Sequence, residues 1–199
     1  NLNIPKIKDS LKYMYDFFSE IRNGKKFVDG NFIEFFRHLF EKPEILEWEK
    51  FWLQRNKDLD KEIYGLVKWV NPNLSFGLNV WNRNHFNLIR KIQWPWKEQV
   101  EYSDWVKPIT YQHQSGEIFQ REIDIFGKTI LDDLSGSELT RVFAKILGIN
   151  ETSLENLTQR GLDPDTYIYT QCKDAVRGVD GGSKVYMGIG IDAPRSSKD

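Results

Sequence analysis

The chain has 199 residues, 40% of them hydrophobic and 14% aromatic, enough apolar content for one globular domain or a large part of a bigger one. Its 28 basic and 29 acidic side chains leave a formal net charge of −1, without the basic excess that marks a nucleic-acid footprint. A single cysteine, Cys172, excludes an internal disulfide; no Cys/His spacing resembles a zinc site, and no apolar run approaches the ~20 residues that span a bilayer.

Residues 6–22 predict a helix, with Ile7, Leu11, Met14, Tyr15, Phe18 and Ile21 at three- and four-residue spacing. Asn23-Gly24 closes it with a pair that tolerates left-handed backbone. A second helix runs from Gly30 to about Phe40. A third starts near Pro43 and holds its apolar stripe from Ile45 to Val70, where Asn71-Pro72-Asn73 stops it. The first strand follows at about 74–80. A helical turn over 95–102 leads to the second, at about 105–111. Helical pieces around 118–130, 137–147 and 164–177 come next, the last capped by Asp163 with Pro164 at its first position. Gly181-Gly182 turns into a third strand at 184–191. The chain opens on Asn1 with no signal-peptide pattern and reads as a processed or excised piece. The Asn-x-Ser/Thr triplets at Asn73, Asn150 and Asn156 read as chance matches.

No hairpin signal joins the strands, so parallel pairing through crossovers is expected. Each strand has an apolar side and a mixed side. Phe76, Leu78 and Val80 oppose Gly77, Asn79 and Trp81, while Val185, Met187 and Ile189 oppose Tyr186, Gly188, Gly190 and Asp192. An open doubly wound sheet wants both faces apolar, whereas barrel strands turn mixed faces inward. The expected fold class is therefore α/β, part of a (β/α)8 TIM barrel. Residues 1–199 would be a single domain, the later portion of a larger barrel with strands missing on either side.

Polar and aromatic residues gather where these strands run out, the rim on which such folds place their chemistry. Asn79, Trp81, Asn82, Asn84 and His85 crowd the end of the first strand. An indole packs on the C–H face of a sugar while amides meet its hydroxyls. Tyr111 and His113 sit at the end of the second strand, with either a pocket role or a structural one. Lys107 shares their side and needs a carboxylate partner if it points inward. Asp192 follows the bare Gly188 and Gly190. It serves either as a carboxylate in sugar chemistry or as a cap of the loop at Pro194. Trp48, Trp52, Trp69 and His38 read as packing residues, and Glu117 and Glu122 as a solvated helix start. No P-loop, GxGxxG or GxSxG pattern occurs, and no metal or cofactor is implied.

The succession FIEFFRHLFEKPEILEWEKFW (32–52), YGLVKWVNPNLSFGLNVWNRNHF (64–86), YSDWVKPITYQHQSG (102–116), GLDPDTYIYTQCKDAV (161–176) and VYMGIGIDAP (185–194) resembles uncharacterised bacterial proteins described as hypothetical glycoside hydrolases with a TIM-barrel fold. The likeness spans nearly the whole chain. It implies a carbohydrate substrate, a periplasmic or secreted setting, and earlier strands that carry acidic residues. Gly190 stands where the resemblance leads one to expect a further Asp.

Three readings follow. In the first, a glycoside-hydrolase-like protein acts on a polysaccharide or glycoconjugate at the C-terminal ends of the strands. Asp192 is then its catalytic carboxylate, and Asn79, Trp81, Asn82, His85, Lys107, Tyr111 and His113 bind substrate. The partner carboxylate would lie about 5–5.5 Å away for retention or about 6.5–9.5 Å for inversion. In the second, the same surface binds carbohydrate without hydrolysis. In the third, a different enzyme uses Lys107 on a phosphorylated or amine-bearing substrate. No nucleic-acid or membrane partner is expected.

Overall fold

The computed structural model describes residues 2–190 of the protein. Three helices come first. Helix α1 (Ile4–Arg22) begins with Asn3 accepting the Lys6 amide at 3.2 Å and has Pro5 in its first turn. Helix α2 spans Asn31–Glu41 and α3 spans Glu44–Val70. Strand β1 (Gly77–Val80) leads into three short helices, α4 (Arg83–Phe86), α5 (Leu88–Gln93) and α6 (Trp96–Gln99), and a 3-10 turn at Val100–Tyr102. After β2 (Trp105–Pro108), helices α7 (Gln112–Gly127), α8 (Gly136–Leu147), α9 (Leu157–Arg160) and α10 (Pro164–Val179) precede β3 (Lys184–Val185).

The sheet has order β1-β2-β3, with both pairings parallel. Gly77 pairs with Trp105 and Asn79 with Lys107, while Trp105 also pairs with Lys184. A last bridge joins Ile109 to Gly188. One face buries Val80 and Val106, with α10 packed against β2 and β3. Gly77, Asn79, Trp105, Lys107 and Tyr186 share the opposite face by register, and there Asn79 and Tyr186 are exposed.

The barrel expectation is overturned. The described residues are 64% helical and hold one sheet of three strands, too few for a closed barrel of eight. The physical reason lies in the two helical stretches. Before β1, α1, α2 and α3 follow one another, and Met14, Phe17 and Ile21 of α1 form a core with Ile130, which follows α7. Between β2 and β3, four helices succeed each other, and two of them, α8 and α10, start on a side-chain cap. Ser135 and Glu138 form a reciprocal capping box on α8, and Gly148 ends that helix at φ +69°. Their side chains close a second core around Phe119, Leu139, Phe143 and Tyr167.

The strands are also shorter than predicted. β2 stops at Pro108 and β3 at Val185, so Tyr111 and His113 sit at the start of α7 instead of on a strand. Helix α3 has the predicted bounds but not the predicted burial. Trp69 is 81% exposed and Trp52 40%, so neither is a core tryptophan. Glu122, expected at a solvated helix start, is buried within α7. His38 is buried, with Nδ1 3.1 Å from the Tyr13 hydroxyl and its ring edge-on to Phe17.

Candidate binding groove along the edge strand

A groove of about 640 Å³ runs along β1, walled by α3 on one side and by α5 and α7 on the other. Its site arises from how the ends of these elements meet. Asp104, just before β2, accepts the Phe76 amide at 2.7 Å and pairs with Lys68 of α3 at 2.8 Å. Those contacts fix β1 against the C-terminal end of α3 and hold the Asp104 carboxyl below the usual range, chiefly through Lys68. Past Val80 the chain leaves the strand, and Trp81 stands 62% exposed at the groove's mouth beside Asn79, Asn84 and Gln114. An exposed indole among amides offers a flat apolar face bordered by donors and acceptors.

On the α3 wall, Trp52, Asn56 and Asp60 recur every four residues and face the groove. Asp60 is the one carboxylate that lines it among the described residues, and burial raises its pKa above the ordinary aspartate value. On the opposite wall, Arg90 lies over the Trp52 ring at 5.1 Å and Arg121 is exposed. Neither guanidinium has an ion-pair partner among the described residues. At the base, Gln99 is buried and its Oε1 lacks a hydrogen-bond partner.

The residues expected to bind substrate fall in different places. Asn79 and Trp81 line the groove. Lys107 lies on the open sheet face, its Cε 3.1 Å from where a Cβ on Gly188 would stand. The Tyr111 and His113 rings are stacked, with centroids 6.3 Å apart, and Gly190 lies beside His113. The His113 Nδ1 is buried with no hydrogen-bond partner. Asn82 lines the groove as well, from a buried position, whereas His85 does not line it. Asn82 is 2% exposed and donates to the Ser115 hydroxyl at 3.3 Å, which donates to the Tyr167 hydroxyl at 3.0 Å. That hydroxyl lies 3.2 Å from Nδ1 of His85, which is 3% exposed. The chain of bonds pins α4 to α7 and α10. Asp192 lies outside the described residues.

Sequence reasoning missed Asp60, Arg90 and Arg121. The repeat Trp52-Asn56-Asp60 was readable as a polar-aromatic strip on one helix face, but the apolar stripe beside it drew the assignment of α3 to packing. The two arginines carry no signal of their own, because tertiary packing alone brings α5 and α7 to β1.

No group of three or more His, Cys, Asp or Glu side chains is placed to hold a metal ion among the described residues. Nor, among them, is any helix long and apolar enough to cross a membrane. Comparison with protein-family models, with curated proteins and with solved structures finds no match for this chain.

Proposed function

We propose that this protein binds a saccharide in the groove along β1. The observation that carries the reading is Trp81: a tryptophan 62% exposed, ringed by Asn79, Asn84 and Gln114 at the mouth of a cavity large enough for a sugar ring. Exposing an indole costs hydrophobic free energy, which a stacked sugar face recovers. Asn79 and Asn84 each present a donor and an acceptor to adjacent hydroxyls. The aromatic face of β2 and β3, where the Trp105 and Tyr186 rings meet at 5.9 Å, extends the same kind of surface across the sheet.

Binding is tested by a glycan array followed by calorimetry on the best ligand. Trp81→Ala is expected to weaken affinity by about tenfold, the scale of a lost stacking contact plus its buried area. Absence of any glycan signal from the wild-type chain, or an affinity indifferent to Trp81→Ala, would overturn the proposal.

A second reading, glycoside hydrolysis, draws support from Asp60. A carboxyl whose pKa is raised by burial suits a general acid. Hydrolysis by paired carboxylates needs a partner for Asp60, and none lines the groove among the described residues. For that reason binding is the primary conclusion. Release of reducing ends by the wild type but not by Asp60→Asn would establish the second reading; equal release by both would remove Asp60 from it.

A further inference from the structure

The groove continues beyond Trp81. Val80, Asn84, Arg90, Trp94 and Gln99 line it and also line a second, open hollow of about 420 Å³ among α4, α5, α6 and α10. The two hollows differ in charge. The second is lined by Arg90, Lys91, Lys97 and Arg177 and by a single carboxylate, Asp174. Asp174 is engaged by Lys91 at 3.8 Å, while Lys97 and Arg177 have no ion-pair partner among the described residues. Four cations thus line the cavity against one carboxylate among the described residues, a surplus of positive charge.

His85 supplies an independent pointer. Its ring borders this second cavity and is itself 3% exposed. The buried chain runs in one direction, from the Asn82 amide to Ser115 and from Ser115 to Tyr167. The Tyr167 hydroxyl accepts from Ser115 and can give its own hydrogen to His85 Nδ1 at 3.2 Å, in the tautomer that carries the ring hydrogen on Nε2. In that tautomer the Nε2 hydrogen is buried with no hydrogen-bond partner. A buried N–H left unpaired is costly, and it calls for an acceptor. Tryptophans 94 and 96 complete the wall with apolar surface.

We propose that groove and cavity together hold one ligand, an acidic saccharide, with a sugar ring against Trp81 and its anionic substituent among Arg90, Lys97 and Arg177. The inference rests on the saccharide reading of the groove and adds the charge of the ligand. Carboxylate, sulfate and phosphate share the required chemistry: several acceptor oxygens and a negative charge, matched by guanidinium and ammonium donors. Arg90, over Trp52 on the groove side and lining the cavity on the other, is the link between the two parts.

The test is calorimetry on the full chain with three oligosaccharides of equal length: a uronate, a sulfated neutral sugar and its unsulfated parent. At least one acidic oligosaccharide is expected to bind about tenfold more tightly than the neutral one at low salt. In the double variant Lys97→Gln/Arg177→Gln the ratio of acidic to neutral affinity should fall toward one. Both side chains are exposed, so folding is not at risk, and a thermal melt checks it. Nitrogen-15 spectra of His85 during the acidic titration give a second readout, with the Nε2 resonance moving in the wild type. Uronate or sulfate preference identifies which anion is read. Equal affinity for acidic and neutral sugars, or a ratio unchanged in the double variant, overturns the acidic-ligand inference and leaves the groove reading standing. Failure of all three sugars to bind overturns both.

Discussion

Helices α8 and α3 show what an apolar stripe does with and without a partner. Helix α8 has 12 residues and buries Leu139, Thr140, Phe143, Ala144 and Leu147. Helix α3 has 27 residues and buries only Leu53 and Lys57, leaving Leu59, Leu66 and Trp69 more than half exposed. Both have apolar residues at helical spacing. The difference is that α8 lies across α7 in a closed core, whereas the outer side of α3 has no element over it among the described residues. Periodicity reports which side of a helix is apolar; whether that side is covered depends on what the rest of the chain brings to it.

This contrast can be broken or sharpened by experiment. The largest effect is expected at the closed core: Phe143→Ala should cost about 3–5 kcal/mol in denaturant unfolding, because Phe143 is 2% exposed and its neighbours cannot collapse around the void. A loss well under ~2 kcal/mol would mean this core is loosely packed.

The buried chain around His85 predicts a pH dependence. Burial, with a smaller contribution from Lys91, pushes His85 down from 6.5 to about 3. Between those values the unfolded chain takes up a proton that the folded chain refuses, so stability must fall as pH falls. The loss approaches about 1.4 kcal/mol per pH unit well below 6.5. Replacing the ring with His85→Gln should flatten that part of the stability curve. A wild-type curve with no such slope would show that His85 is charged in the folded state.

Smaller effects should follow at caps and exposed faces. Ser135→Ala removes the capping box of α8 and should cost about 1 kcal/mol. Asp60 behaves oppositely to a paired acid. Its folded pKa is raised, so ionisation above that value weakens the folded state, and Asp60→Asn should raise the melting temperature at neutral pH but not at acid pH. Leu66→Ala, at a position 59% exposed on α3, should stay within about 0.5 kcal/mol. A larger loss there would show that the outer face of α3 is covered in solution.

Much of the local structure was legible. The limits of α3 followed from Pro43 and from Asn71-Pro72, and the start of α10 from Asp163-Pro164, because caps and proline act within a few residues. Strand lengths were not legible: the alternation from Trp105 to Tyr111 looked extended throughout, yet the chain enters α7 at Gln112. Nor was the strand count in the surrounding architecture, since a polar face on each strand fits an open sheet with one bare side as well as a barrel interior.

At the candidate site, Asn79 and Trp81 were legible from composition at a strand end, and the structure places both on the groove. His85, expected at the site by the same rule, lines the second cavity and is held by Tyr167, a partner 82 positions away.

The amino-acid order by itself determined the limits of α3 and the start of α10, that the strands carry one apolar and one mixed side, and that a tryptophan and several amides cluster after residue 78. Those are short-range effects of backbone preference, capping and side-chain period. Only the tertiary structure decided that the sheet stops at three strands among the described residues, that Asp60, Arg90 and Arg121 line one groove, and that four cations and Asp174 line one cavity. Such gatherings depend on long-range packing of α3, α5, α7 and α10, for which neighbouring residues hold no local code.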